Sequence, residues 1–287
     1  MKVLIVGKNS YIAQRTGAWF EKKPVPAAVE YISVRDDSWK QTDLSGFDAV
    51  IYTAAIVHRK DEVPLETYDA VNAQQPFEFA QAAKEAGVKQ FVFLSTMGVY
   101  GQDKKLPNGN IVDANTPLKP FPGYGSSKLK GEQLIQGLED ERFHVSIIRP
   151  ANVYGKGCKG GYISGFAKIT STLPVLPRAF EECKQGMLFV DNLAELCWLV
   201  VNSNCSGVYP AQDRTPVSAY DIMRAMADCI CPKKKALRGQ AALKLIQGNG
   251  LVNKLFGGVS YARDYAKCPL GDYQLVEFRD AIKEWFE

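Results

Sequence analysis

The sequence predicts an α/β protein built on a doubly wound parallel sheet, with a smaller second domain toward the C-terminus. Short apolar runs recur along the chain, as in "KVLIV", "AVEYISV", "FDAVIYTAA", "QFVFLST" and "VSIIRP". Two of them, FDAVIYTAA and QFVFLST, are nearly continuous in apolar residues, as strands buried between two helical layers are. Helical text separates the runs, and that alternation implies a parallel sheet with helices on both faces. A chain of 287 residues, 46% hydrophobic and 23% charged, has the apolar mass for one elaborate domain or two intimate ones.

In chain order, Lys2 to Val6 reads as the first strand, about Tyr11 to Lys22 as a helix, and Ala28 to Val34 as the second strand. FDAVIYTAA is the next strand. The stretch "LETYDAVNAQQPFEFAQAAKEAG" then places Tyr68, Val71, Phe79, Ala82 and Ala86 near one helical stripe, broken by Pro76 and closed by Gly87. QFVFLST follows as a strand. From Gly101 to Gly123 the pattern lapses into a Gly-, Pro- and Asn-rich loop, and a loop that long in a compact domain is expected to be functional. After VSIIRP the alternation stops at about Lys156, returns at "GMLFVDNLAELCWLVVNS" and "GVYPAQD", and ends in helical text. This pattern assigns 1–155 and 187–211 to the sheet domain, and 156–186 with 212–287 to a smaller substrate-binding domain.

Several function classes are disfavoured at this stage. The net charge of +4 comes from 35 basic and 31 acidic residues, too even a balance for nucleic acid or a membrane surface. The local basic run at Lys233 to Lys235, with Arg238 nearby, reads as a solvated helix start, and nucleic-acid binding through Lys233 to Lys254 would require a steep salt dependence. Seven cysteines without a C-x-x-C pair are expected as free thiols in a reducing cytoplasm. His58 and His144 alone offer little to a histidine metal site or a Ser-His-Asp triad, so no metal is expected. The N-terminus lacks signal-peptide features and no apolar run approaches the roughly 20 residues that span a bilayer, so a soluble cytoplasmic protein is expected.

Chemistry concentrates in "GYGSSKLKGE", where Tyr124 and Lys128 stand four residues apart. On a helix that spacing puts both on one face. A phenol with an ordinary pKa of about 10 is a poor acid or base at neutral pH, and an adjacent ammonium stabilises its phenolate. The spacing alone also fits a surface pair. Upstream, Ser95 and Thr96 follow a buried strand, at the carboxyl edge of the sheet where open α/β folds bind ligands. A hydroxyl there is suited to hold a substrate oxygen that Tyr124 protonates or deprotonates. At the first strand, "VGKNSYIA" forms a strand-turn-helix junction of the kind that grips a dinucleotide, with a single glycine.

Six segments in register extend this picture. FDAVIYTAA resembles a D-x-V-I-H-x-A-A strand, YDAVNAQQP a helix with a central Asn, FVFLSTMGVYG an S-S/T-x-x-V-Y-G strand, YGSSKLKGE a Y-G-x-S-K-x-x-x-E helix, IIRPANVYG an R-P-x-N-V-Y-G strand, and FVDNLAE an H-V-D-D-L-A segment. Over nearly its whole length the chain resembles an extended short-chain dehydrogenase/reductase, in the branch of NAD-dependent sugar epimerases, dehydratases and nucleotide-sugar ketoreductases. The resemblance implies a Rossmann-like fold and a place in polysaccharide biosynthesis. It implies that Tyr124 is the acid-base phenol, that Lys128 lowers its pKa and holds the nicotinamide ribose, and that Thr96 is the catalytic hydroxyl, preceded by Ser95. It further implies that Gly7, Lys8, Ser10, Tyr11 and Ile12 meet the cofactor, with Asn72, Ala54, Ala55 and Pro150 along its groove and Asp43 at the adenine. Asn152 and Arg263 would meet the substrate. A homodimer is also implied.

Three positions depart from that pattern. G-x-x-G-x-x-G becomes Gly7, Ser10 and Ala13, so a hydroxymethyl stands where backbone would approach a pyrophosphate, at a helix N-terminus that favours anions. At the end of the second strand the chain reads Val34-Arg35-Asp36-Asp37. Arg35 with Lys8 favours the 2′-phosphate of NADP, whereas Asp36 in that place favours NAD. Third, Gln185 stands where many relatives carry a diphosphate-binding Arg, with Lys184 as a substitute point charge. The expected activity is NAD(P)-dependent redox at C4 of a nucleotide-linked hexose, leaning to an NADPH 4-ketoreductase, with a UDP-hexose 4-epimerase holding NAD as the alternative. A 4,6-dehydratase is disfavoured because Met97-Gly98 follows Thr96, and a non-catalytic dinucleotide sensor because Tyr124, Lys128 and Thr96 are intact.

Overall fold

The computed structural model describes residues 1–57, 63–104, 106, 109–158, 161–238 and 249–287; His58 and 239–248 of the basic C-terminal stretch lie outside them. The described strands are β1 (Lys2–Val6), β2 (Ala28–Ile32), β3 (Ala49–Tyr52), β4 (Gln90–Leu94), β5 (Asn110–Val112), β6 (His144–Pro150), β7 (Asn152–Tyr154), β8 (Leu176–Arg178), β9 (Met187–Phe189), β10 (Gly207–Ala211), β11 (Ala236–Arg238) and β12 (Val259–Tyr261). The principal helices are α1 (Tyr11–Glu21), α2 (Leu65–Asp69), α3 (Gln75–Glu85), α4 (Tyr124–Gln136), α5 (Gly161–Thr172), α6 (Val190–Ser203) and α7 (Ala219–Ile230), followed by Gly250–Phe256 and Phe278–Phe286.

Six strands form one sheet in the order β10-β6-β4-β3-β1-β2, every pair parallel. Alternate residues of β1 serve opposite faces. Val3 and Ile5 pack with Phe20 of α1 and Leu193, Leu196 and Val200 of α6. Leu4 and Val6 pack with Phe79 of α3 and Ile135 of α4. This two-sided burial is why the strand text is apolar without alternation. The chain leaves β1 toward β2 and returns on the other side as β3, so the connections part at the carboxyl ends of β1 and β3 and leave a crevice.

Three expectations are corrected. The second strand ends at Ile32, not Val34, because the Ile32 carbonyl accepts from Gly7 N (2.9 Å) and Lys8 N (3.1 Å) and the chain turns away. The helix after β3 is not broken at Pro76, which sits in the first turn of α3 where its missing N–H is harmless. A π-helical turn, Ala70–Gln74, precedes it instead. An inserted residue rotates the following face by about 100°, so Ala80 and Ala83 are buried with Phe79 while Val71, Ala82 and Ala86 are only partly covered. Finally, the stretch from Gly101 to Gly123 contains β5, paired in parallel with β12 near the C-terminus; a three-residue strand whose partner is so distant leaves no local signal.

A second core gathers Tyr154, Ile163, Phe166, Phe180, Phe189, Ile222, Met226, Phe278 and Ile282. Its α7 opens with a capping box, Ser218 accepting from Asp221 N and the Asp221 carboxylate accepting from Ser218 N, which satisfies two otherwise orphaned donors. None of the seven cysteines is joined in a disulfide. Among the described residues no helix is long and apolar enough to cross a membrane.

Candidate active site

The crevice at the carboxyl ends of β1 and β3 opens into a cleft of about 950 Å³. Its floor is the turn after β1. Gly7 has φ of 113°, and a Cβ there would lie 2.6 Å from Thr53 Oγ1 and 3.2 Å from Ala54 N, so the end of β3 can pack this closely only on glycine. Ser10 is the N-cap of α1: its Oγ accepts from Ala13 N at 3.4 Å, folding the hydroxymethyl back onto the helix end. The residue that departs from the three-glycine pattern thus caps the helix, and its own proton is left for an anion at the helix N-terminus.

Of the residues singled out by sequence, Gly7, Lys8, Ser10 and Ile12 line the cleft beside Arg35, and Ala54 and Ala55 form its β3 wall. Ser95, Thr96, Tyr124 and Pro150 line the other end. Six others stand elsewhere. Tyr11 donates its hydroxyl to Lys156 O at 3.1 Å. Asp43 is exposed and accepts from Ser45 N at 2.8 Å. Asn72 is buried behind the wall, where its amide pairs with Ile56 O (2.9 Å) and Ile56 N (2.8 Å) and reaches Ser127 Oγ (3.1 Å), clamping a cleft-lining segment. Lys128 is buried beneath Tyr124's helix turn, Asn152 donates to Gly186 O at 3.2 Å, and Arg263 is exposed. Most lining residues absent from the sequence reading, such as Thr53, Ile56 and Ala151, neighbour ones it contained. Gln75 does not; the π turn aims it and Val71, the neighbour of Asn72, at the cleft, and Gln75 Nε2 holds Val34 O at 2.7 Å.

At the β2 end, Arg35 and Asp36 are told apart. Arg35 lines the cleft. The Asp36 carboxylate instead accepts from Ser38 N at 3.0 Å and from the Ser38 hydroxyl, capping the short helix Asp37–Gln41. Those hydrogen bonds hold its carboxyl below the usual range.

At the other end Thr96 Oγ1 accepts from Gly98 N at 3.0 Å, which leaves its proton to the Tyr124 phenol with which it is hydrogen-bonded. Burial pushes that phenol up to about 12, opposed by the Thr96 bond. The sequence reading had Lys128 lowering this pKa. In the cleft as it stands the ammonium is itself 1% exposed, its Nζ 3.8 Å from the centre of the Phe93 ring, and burial brings it down to about 7, opposed by the charge of Glu132. The pair is buried rather than superficial, and desolvation dominates both members.

Two further expectations concern the diphosphate side. Gln185 is buried with Nε2 donating to Val259 O (3.0 Å) and Gly186 O (3.2 Å), and Lys184 pairs with Asp221 at 2.7 Å. Both are engaged by the fold.

The cleft fits a dinucleotide on three observations of its own. Backbone approaches at Gly7 where a Cβ would collide, the N-terminus of α1 faces in with Lys8 and Arg35 beside it, and Ser95 Oγ is buried at the cleft without a hydrogen-bond partner.

Residues 11–212 match the family model described as NAD dependent epimerase/dehydratase family. The chain is 31% identical over 228 residues to the N-acetyl-alpha-D-glucosaminyl-diphospho-ditrans,octacis-undecaprenol 4-epimerase of Escherichia coli O157:H7, covering 78% of this chain and 67% of that protein. It is 29% identical over 196 residues to the UDP-glucose 4-epimerase of Vibrio cholerae, covering 64% of this chain and 57% of that relative's length. The structure of a dTDP-4-dehydrorhamnose reductase from Clostridium acetobutylicum superposes with a TM-score of 0.72 at 18% identity, covering 99% of this chain and 98% of that one, a likeness of fold.

Proposed function

The chain belongs to the NAD dependent epimerase/dehydratase family, and from that membership we propose that it reduces the C4 carbonyl of a nucleotide-linked hexose with NADPH. One observation carries the cofactor choice: Arg35 and Lys8 line the cleft at the end of β2 while Asp36 is engaged by Ser38. Two cations there suit a 2′-phosphate, and the carboxylate that would hold a 2′-hydroxyl is turned aside. Gly7, Ser10, Ala54, Ala55, Ser95 and Pro150 would hold the rest of the dinucleotide, which supplies the hydride when bound.

The chain's own residues handle the proton. The Tyr124 phenol stands protonated across the physiological range, the state an acid toward a carbonyl oxygen needs, and Thr96 orients it and shares the developing charge. Lys128, as an ammonium, stabilises the phenolate left behind. Segments 1–155 and 187–211 form the cofactor domain and 156–186 with 212–287 the substrate domain, and the protein works in the cytoplasm. The Vibrio cholerae relative is named for a UDP-linked hexose, which supports that substrate class, and the Escherichia coli relative for a hexosamine carried on undecaprenol diphosphate.

A second reading, a UDP-hexose 4-epimerase retaining NAD, is favoured by those same two names. The purified protein separates them. Acid release and chromatography of its dinucleotide, with assay of a nucleoside-diphospho-4-ketohexose against NADPH and NADH, should give exchangeable NADP and consumption of NADPH. Stoichiometric, retained NAD and interconversion of C4 epimers without added cofactor would replace the reductase by the epimerase.

A further inference from the structure

Behind the acid-base pair lies a buried ion pair that the mechanism above does not use. Glu132 is one turn beyond Lys128 on α4, and both its oxygens are taken by Arg149, Nε at 3.1 Å and Nη2 at 2.6 Å. Arg149 is the penultimate residue of β6, one before the cleft-lining Pro150, and its Nη1 donates to the Tyr100 hydroxyl at 2.9 Å. Tyr100 is four residues after Thr96, and its hydroxyl meets that of Tyr265 at 2.8 Å. Tyr261 closes the set by donating to Arg149 O at 2.9 Å. Three elements that bear on the cleft, the Thr96 turn, the Tyr124 helix and the Pro150 strand, are therefore joined at one carboxylate-guanidinium fork. Such a fork is directional in both partners, so it fixes spacing as well as charge.

We propose that Glu132, one turn from Lys128 on α4 and held in place by Arg149, is a positioning residue for proton transfer that sets a fixed negative charge beside the Lys128 ammonium. The groups that face Lys128 support the assignment. Tyr124 and Glu132 stand one turn to either side of it on α4, the Phe93 ring of β4 lies 3.8 Å from its Nζ, Arg149 of β6 and Tyr100 meet at the fork on Glu132, and the uncharged Asn72 of the π turn bonds the neighbouring Ser127. Asp69 of α2 pairs with Lys130 at the surface, at 2.6 Å. Glu132 is thus the one buried carboxylate among them. It is also the charge that opposes the desolvation of Lys128. Arg149 takes both oxygens of that carboxylate, so the fork fixes where its charge stands. The inference rests on the acid-base reading of Tyr124 and Lys128.

The test is the pH profile of kcat/KM, which reports groups of the free enzyme. Activity should fall on the alkaline side as Lys128 loses its proton. Glu132→Gln should move that limb to lower pH by about one pH unit, and Glu132→Asp, which keeps the charge, should restore it. A second readout needs neither cofactor nor turnover: the urea stability of the parent minus that of Lys128→Met. A lysine whose folded pKa is depressed binds fewer protons folded than unfolded, so this difference grows with pH from the folded value of about 7 toward the unfolded 10.5. In the Glu132→Gln background the rise should begin about one pH unit lower. Where Glu132→Gln alone leaves Arg149 unpaired and unfolds the chain, Glu132→Gln with Arg149→Met removes the same carboxylate without that defect, and the same downward movement is expected. Profiles that superimpose after scaling, or an Asp variant that shifts as far as Gln, would overturn the inference. Parental turnover in Tyr124→Phe would instead overturn the acid-base reading beneath it.

Discussion

Lys8 and Arg35 at one end of the cleft and Ser95 at the other have side chains unengaged by other described residues, two cations and a buried hydroxyl lining it. Around Gly186, whose Cβ position would lie 3.3 Å from Ala151 Cβ and Met97 Cε, the polar residues are equally numerous but already bound. Lys184 is tied to Asp221, Gln185 to Val259 O and Asn152 to Gly186 O. The difference lies in what the backbone requires. At the strand ends of the large sheet, ladder hydrogen bonds, the α1 cap and a few side chains such as Gln75 and Thr53 already satisfy the main chain, so Lys8, Arg35 and Ser95 have no structural duty there. Outside the large sheet the strands β7, β8, β9, β11 and β12 are only three residues long, and side chains complete the hydrogen bonding that short ladders leave open. Availability, rather than proximity in a motif, separates a binding residue from a structural one.

The comparison can be broken at several strengths. The largest effect is expected within the cleft, where Tyr124→Phe should lower kcat by about 10²–10⁴-fold and leave dinucleotide affinity, read by fluorescence titration, unchanged. Next, Arg35→Ala should raise KM for NADPH by about 10–100-fold, the worth of a charge-assisted bond to phosphate, and leave KM for NADH where it was; equal losses with both cofactors would remove Arg35 from the 2′ position. The smallest belongs to the engaged end. Lys184→Ala should leave substrate KM nearly unchanged and cost at most about 1 kcal/mol in urea unfolding, because the Asp221 pair is partly exposed and screened. A KM that rose as far as with Arg35→Ala would show that Lys184 does meet substrate and would erase the contrast.

Legibility followed the range of the interaction. Tyr124 and Lys128 could be placed on one helix face from their spacing, and Gly7 on a tight turn from its position after an apolar strand, because those geometries are set within a few residues. The choice between Arg35 and Asp36 could not be made that way. It depends on where β2 stops, which is decided by the bonds of Ile32 O to Gly7 N and Lys8 N, and on Ser38 claiming the Asp36 carboxylate. The face of the helix after β3 was misjudged by about one residue for a related reason: a π turn has no compositional mark, yet it turns Val71 and Gln75 toward the cleft.

By itself the sequence determined the sheet strands, their burial on both faces, the glycine that lets β3 approach, and the choice of Thr96, Tyr124 and Lys128 as candidates for acid-base work. Each follows from periodicity or from a side chain's own chemistry. Tertiary structure alone decided that Lys128 is desolvated, that Glu132 and Arg149 join three catalytic elements, that β5 finds β12, and that Lys184 and Gln185 are occupied. Those outcomes depend on partners tens to hundreds of residues away, whose contacts are selected by the packing of the whole core and carry no periodic trace in the chain.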